Sequence, residues 1–269
     1  MSNTPYGREW AVRATNNGGS PSMSSVLAVD KFCLGLIADG IYTNQKVVTA
    51  FPNDGLAAAL TPIIRVNSLG LSPWTNNNFV AGDLSVGGLQ GDGVNKHLVT
   101  GATPAEVWDS DGDCGITIYS SGTGFTDTRY DFGHWSAGGP PVCSVYLYWG
   151  GTTYFDCWNS TGGRTSGAAP SNGYFCCTRT STSAEAIYKG SSSGGHAILV
   201  SATGQSSISN RGTTSAHIMH VFGFNGASST YSDKRFSYVG LHTGMDSTQS
   251  AYQYARVQQL RTDLGGGYV

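Results

Sequence analysis

The sequence predicts a mainly β protein: a two-sheet antiparallel sandwich with a short helical N-terminal preface and a C-terminal helix. Three observations carry this. Glycine, at 38 of 269 residues, has about twice its usual share, and charged residues, at 12%, about half of theirs. From Phe79 onward, short runs rich in β-branched and aromatic residues alternate with Gly/Ser/Asn turns. Helical spacing of apolar residues is confined to the two ends. A chain of this length suits one large β-domain or two average ones, and it can bury a core without staples.

The elements follow in order. Residues 1–20 are polar and read as irregular, with Trp10 and Val12 docking on the body. Ser22 or Ser24 caps a helix over 22–39. In it Val26, Val29, Phe32, Cys33, Leu36 and Ile37 keep i, i+3, i+4 spacing, and Gly40 stops it. An extended segment at 46–51 precedes a short helix over 55–60, capped by Asp54 and stopped by Pro62. Residues 74–78 read as a loop. Strands are predicted at 84–90, 96–100, 114–120, 142–149, 152–158, 173–180, 185–189, 196–202, 216–224 and 235–241. In Val145-Tyr146-Leu147-Tyr148-Trp149 every position is bulky, which predicts cover on both faces. A closing helix spans 247–263, with Asp246 or Ser247 as cap and Gly265 as stop. The predicted division is an N-terminal extension, 1–78, packed on a sandwich and its closing helix, 79–269.

The stretch 83–101 is where helical spacing gives way to strands. It reads as an opening hairpin with Leu89 and Leu98 on the core face and a Gly91-Asp92-Gly93 turn whose glycines permit positive φ. Its string Leu89-Gln90-Gly91-Asp92-Gly93-Val94-Asn95-Lys96-His97-Leu98-Val99-Thr100-Gly101 resembles the G-(D/N)-G-S-x-K-Y-L-x-T-G segment of concanavalin A-like, laminin-G-type jelly-roll domains found in bacteriophage structural proteins. Ala28-Val29-Asp30, 36–42 and 53–60 are similar to the helical preface of that group. Residues 222–226, 236–242 and the closing helix look like its last strands and helix, so the resemblance covers about 10–264. It implies a jelly-roll sandwich on the collar, tail or capsid surface of a virion. The implied partners are copies of itself and other virion proteins, and the implied roles are assembly and host-surface adhesion.

Charge and composition narrow the class. A net charge of -2 without clustered Lys and Arg argues against nucleic acid as a partner. No run of 18 apolar residues offers a membrane span, and the first residues lack an apolar signal core. The expectation is a protein made in a host cytoplasm and released in a particle.

Enzymatic chemistry finds little support. Glu occurs only at Glu9, Glu106 and Glu185, so the paired carboxylates of a glycosidase on this fold are missing, and a non-enzymatic protein is expected. Asp127 and Asp131 read as a loop salt-bridge set around Arg129, and His217 and His220 as core or interface histidines on opposite strand faces. Asp109, Asp111 and Asp113 begin like a calcium loop but lack its closing Glu, which leaves calcium as a candidate cofactor. Glycan binding, the alternative function, predicts exposed rings beside amides. Trp74 with Asn76 and Asn77, Trp135, and Trp158 with Asn159 are the candidates for a bacterial surface glycan.

The six cysteines have no zinc spacing. Cys33 reads as a buried thiol. Cys143 and Cys157 flank the Gly150-Gly151 turn and are placed to face each other across two strands. Cys176 and Cys177 are adjacent and point to opposite faces, one inward and the other toward solvent or a neighbouring subunit. All four are disulfide candidates for a protein that leaves the cytosol.

Overall fold

The computed structural model describes residues 5–66, 72–122, 129–136, 139–158, 164–168, 172–191, 195–205, 214, 217–225 and 230–267, with the strand course alone at 135–136 and 139–142. The chain opens with helix α1 (Pro5–Asn16) and helix α2 (Met23–Ala38), then strand β1 (Gln45–Thr49), the one-turn helix α3 (Leu56–Ala59), β2 (Ile64–Arg65) and β3 (Thr75–Asn77). Next come β4 (Leu84–Ser85), β5 (Gly88–Gln90), β6 (His97–Val99), the one-turn helix α4 (Pro104–Val107) and β7 (Cys114–Ser120). The remaining elements are β8 (Phe132–Ser136), β9 (Gly139–Trp149), β10 (Thr152–Cys157), β11 (Thr165–Ala168), β12 (Gly173–Ser181), β13 (Ala184–Ser191), β14 (Gly195–Thr203), β15 (His220–Val221), β16 (Arg235–His242) and helix α5 (Ser247–Asp263). Among the described residues no helix is long and apolar enough to cross a membrane.

The strands form two antiparallel sheets packed as a sandwich. The nine-stranded sheet runs β14-β13-β12-β7-β16-β1-β2, with β5 also paired to β16 and β4 to β5. The seven-stranded sheet runs β11-β10-β9-β8-β15-β6-β3. Between them lies one core, with Ile116, Ile118, Phe175, Ile187, Val239 and Leu241 from the first sheet and Phe132, Val145, Leu147 and Phe155 from the second. A second core lies on the other side of the nine-stranded sheet. There Tyr119, Tyr174 and Tyr238 meet Trp10, Val29, Phe32, Leu36, Val257 and Leu260 of the helices. The alternation along β7 explains both: Ile116 and Ile118 point into the sandwich, Thr117 and Tyr119 toward the helices.

Helix α2 follows its sequence signals. Ser22 is its N-cap and accepts a hydrogen bond from the Ser25 N–H at 3.2 Å. Helix α5 carries a capping box, in which Asp246 accepts from Gln249 N–H at 2.9 Å and Gln249 accepts from Asp246 N–H at 3.1 Å. Asp54 does not cap α3. Gly55 is the N-cap, and the Asp54 carboxylate takes the Ser22 N–H instead.

Four differences from the sequence reading have physical causes. Residues 5–16 are helical because tertiary bonds hold them. Gly7 N–H donates to Asp30, Trp10 Nε1 to Thr61 O, and Arg13 to Pro62 O and Ile63 O. A Cβ on Gly7 would lie 2.1 Å from Val26 O, so only glycine lets α1 approach α2 this closely. The stretch 83–101 is not a hairpin. Strand β5 pairs with β4 and β16, whereas β6 pairs with β15 and β3 in the other sheet. Its Gly-Asp-Gly turn therefore carries the chain across the sandwich. Asp92 accepts the N–H groups of Val94, Asn95 and Lys96 there, and Gly93 sits at φ 70. The boundary at 78 is no domain boundary, because β1, β2 and β3 are members of the two sheets. Residues 74–78 contribute strand β3 rather than a free loop.

Among the described residues two ion pairs are fully buried. Arg179 and Glu185, cross-strand partners, meet at 2.7 Å, and Lys234 meets Asp131 at 3.1 Å. Asp131 also accepts from Ser232 Oγ at 2.6 Å and Leu147 N–H at 2.7 Å. It thus belongs to a core network rather than a loop set with Asp127, which lies outside the described residues. Removing one member of such a pair leaves a buried charge without its counter-ion. Lys234→Met is expected to lower the unfolding free energy by about 3–5 kcal/mol. Adding Asp131→Leu to it should recover part of that loss, read as urea midpoints of the single and double variants.

Candidate functional site

The helices cover the outer side of the nine-stranded sheet. Among the described residues no helix packs on the outer face of the seven-stranded sheet, and that face is lined with rings. On β9 and β10, Val145, Leu147 and Phe155 point into the core, so Tyr146 and Tyr154 point out, as direct cross-strand partners. Tyr146 lies at the bottom of a cluster, 2% exposed. Around it stand the half-buried rings of Tyr130 at 5.0 Å, Trp149 at 5.2 Å and Tyr154 at 6.4 Å between centroids. Tyr130 is stacked on Phe224 at 4.6 Å. The Arg164 guanidinium lies 4.9 Å from the Tyr146 centroid and 6.0 Å from that of Tyr154, and 3.9 Å from Asp156.

The row continues across the sheet. Tyr130 bridges to Tyr231, whose ring stacks on His97 at 5.0 Å, and His97 stacks on His220 at 5.0 Å. Asn77, the β3 partner of His97, ends the row. Rings thus extend from β10 to β6 over most of the sheet's width.

The face is electrically quiet. Burial and the neighbouring His97 lower the His220 pKa to about 4. His134, fully buried with neither ring nitrogen hydrogen-bonded, is lowered to about 3 by burial and by His217 and His220. Both imidazoles are neutral at pH 7. Burial raises the Tyr146 phenol, with Arg164 opposing it, so that hydroxyl also stays neutral. The carboxylates nearest the rings are engaged, Asp156 by Arg164 and Asp131 by Lys234. Glu185 is held by Arg179, and Glu106 closes the capping box of α4. The arrangement offers ring faces, phenol hydroxyls and one partly exposed guanidinium, a set suited to holding a polar molecule with apolar C–H faces.

The residues expected to bind glycan are placed differently. Trp74 is buried in the sandwich core, 6.1 Å from Phe51, and Trp158 is fully buried at 5.4 Å from Trp108. Neither ring can stack on a ligand. Asn76 spends its amide locally, exchanging two hydrogen bonds with the Phe79 backbone. Asn77 alone joins the aromatic face. The Trp135 side chain and Asn159 lie outside the described residues. The rings that form the face were visible in the sequence as Tyr146 and Tyr154 at alternate-side positions of two strands. Tyr130 and Tyr231 come from segments with no strand pattern, and only the fold brings them together with Phe224.

The calcium candidates do not converge. Asp109 is exposed and 3.9 Å from Lys46, and Asp113 accepts the Gly244 N–H at 2.6 Å. Among the described residues no group of three acidic, His or Cys side chains is arranged to hold a metal ion. The cysteines are all buried. Cys143 and Cys157 are cross-strand partners with sulfurs 3.3 Å apart. Cys177 lies in the sandwich core and Cys176 in the helix-side core, 3.8 Å from His242 Nε2. Neither reaches the surface, so neither can staple subunits.

No protein-family model matches the chain, and no curated protein matches its sequence. Several solved structures are distantly similar, and two represent them. One is domain 4 of AbnA, a GH43 extracellular arabinanase from Geobacillus stearothermophilus in complex with arabinotriose. It is 12% identical, covers 78% of this chain and 99% of that one, and has a TM-score of 0.46. The other is Trypanosoma rangeli sialidase in complex with 2,3-difluoro-KDN. It is also 12% identical, covers 80% of this chain and 33% of that one, and has a TM-score of 0.44. Likenesses this distant carry no functional argument.

The buried histidines set an acid limit. His134, His220 and also His242, lowered to about 4 by burial, stay neutral in the fold below the usual histidine value of about 6.5. Between those values the unfolded chain binds more protons than the folded one, so stability falls as pH falls. Urea unfolding at pH 7, 6, 5 and 4 should show a decline that begins near pH 6.5 and continues to about pH 4. Replacing His242 by Gln should flatten it.

Proposed function

We propose that this protein is a non-enzymatic glycan-binding module, and that the outer face of its seven-stranded sheet is the binding surface. The observation that carries the reading is the row of half-buried rings, Tyr154, Trp149, Tyr130 and Tyr231, on the broad sheet face that the helices leave open. Sugar rings present C–H faces that pack on aromatic faces, while their hydroxyls take phenol, amide and guanidinium partners. A largely neutral surface suits a neutral polymer. The non-enzymatic part rests on the engagement of Asp156, Asp131 and Glu185 in ion pairs, which leaves them poorly placed as a free acid and base on this face. The setting we propose is the surface of a bacteriophage particle, where such a module serves assembly and host-surface adhesion. That setting is supported by the resemblance of residues 89–101 and by the low charge.

Binding is tested on arrays of bacterial surface polysaccharides, followed by calorimetry on the best ligand. Trp149→Ala and Tyr154→Ala should each weaken binding about tenfold, by loss of one stacking ring. Trp74→Phe, in the core, should leave affinity unchanged. Release of reducing ends or unsaturated products from any bound polysaccharide sinks the non-enzymatic reading, and immunogold labelling of purified particles checks the setting.

A further inference from the structure

We propose that Cys143 and Cys157 form a disulfide site in the sandwich core. Cys143 on β9 and Cys157 on β10 are direct antiparallel partners, with sulfurs 3.3 Å apart. Directly opposed residues in antiparallel strands have Cα atoms about 4.5–5.5 Å apart, within the range a disulfide spans. Closing the bond moves the sulfurs together by a little over 1 Å, which a side-chain rotation supplies.

Either thiol can open the reaction, because the thiolate is the nucleophile in disulfide exchange and both thiols are accessible in a chain still folding. With a small disulfide such as oxidised glutathione, Cys157 attacks one sulfur, expels one glutathione thiolate and forms a mixed disulfide. Cys143 then attacks the Cys157 sulfur, forms the protein bond and expels the second glutathione. Two protein thiols become one disulfide, and two glutathione thiols carry the two protons and two electrons. Both side chains are buried, so the chemistry belongs to folding, before the core closes.

The test is refolding of the full chain from urea in a glutathione redox buffer, then alkylation, digestion and mass spectrometry. The expected product links Cys143 to Cys157 and carries alkyl groups on Cys33, Cys114, Cys176 and Cys177. Its thermal midpoint should lie about 5–10 °C above that of the reduced protein. In Cys143→Ser and in Cys157→Ser the link and its added thermal stability should both be lost. Six alkylated thiols in natively folded wild-type protein, or a link elsewhere, overturns the site. If Cys143→Ser does not fold, Cys143→Ala is read in the same way.

Discussion

The centre of the nine-stranded sheet is buried on both faces, and the rest of the molecule answers that constraint. Every residue of β7 is buried, as is every residue of β16 after Arg235. Apolar side chains satisfy the sandwich side. The helix side also holds polar groups, and in a low-dielectric setting each must find a partner. Thr117 and Tyr174 both donate to Gln253 Oε1 at 2.7 Å, and Gln253 Nε2 reaches Gln45 at 2.8 Å. Thr117 also meets His242 Nε2 at 2.9 Å. This chain joins β1, β7, β12, β16 and α5, so the helix sits where its amide completes the network. Because the helices are committed there, none of the described ones packs on the outer face of the other sheet.

A second tension lies at three aromatic residues in the left-handed backbone region, Phe51 (φ 46), Trp158 (φ 60) and Phe222 (φ 63). L-residues pay about 1–2 kcal/mol there. The packing of their rings offsets it: Phe222 stacks on Phe236 at 4.3 Å and packs on Phe79 at 5.1 Å, and Trp158 meets Trp108 edge-on. The kink at Trp158 comes just after β10 and turns its indole inward. A tryptophan that a linear pattern assigns to a rim loop thereby becomes core.

Legibility in the sequence followed the range of the interaction. The α2 and α5 helices, capped by Ser22 and Asp246, and the long strands β7, β12 and β16 were readable because neighbouring residues decide them. Helix α1 was not, since its fastening comes from Asp30, Thr61, Pro62 and Ile63. The strand-by-strand pairing of 83–101 was not, since a Gly-Asp-Gly turn serves a hairpin and a crossing equally well. The candidate site shows the same division. Cys143 facing Cys157 followed from a two-residue turn. The aromatic face did not, because Tyr130, Phe224 and Tyr231 are gathered from segments about a hundred residues apart. Trp74 and Trp158 drew attention by residue type, and type does not say which way a ring points.

The position of β16 has a further consequence. It lies between β7 and β1, pairing Val239 with both Ile118 and Thr49. During synthesis the β1–β2 pair and the β7–β12–β13–β14 block are both made before it and cannot join without it. The emerging chain therefore carries two unfinished half-sheets, each with a bare edge, until residue 242 clears the ribosome. Contacts this distant in sequence close slowly, and bare edges invite pairing with other chains in the interval. Slow translation over residues 205–235 would lengthen that exposure.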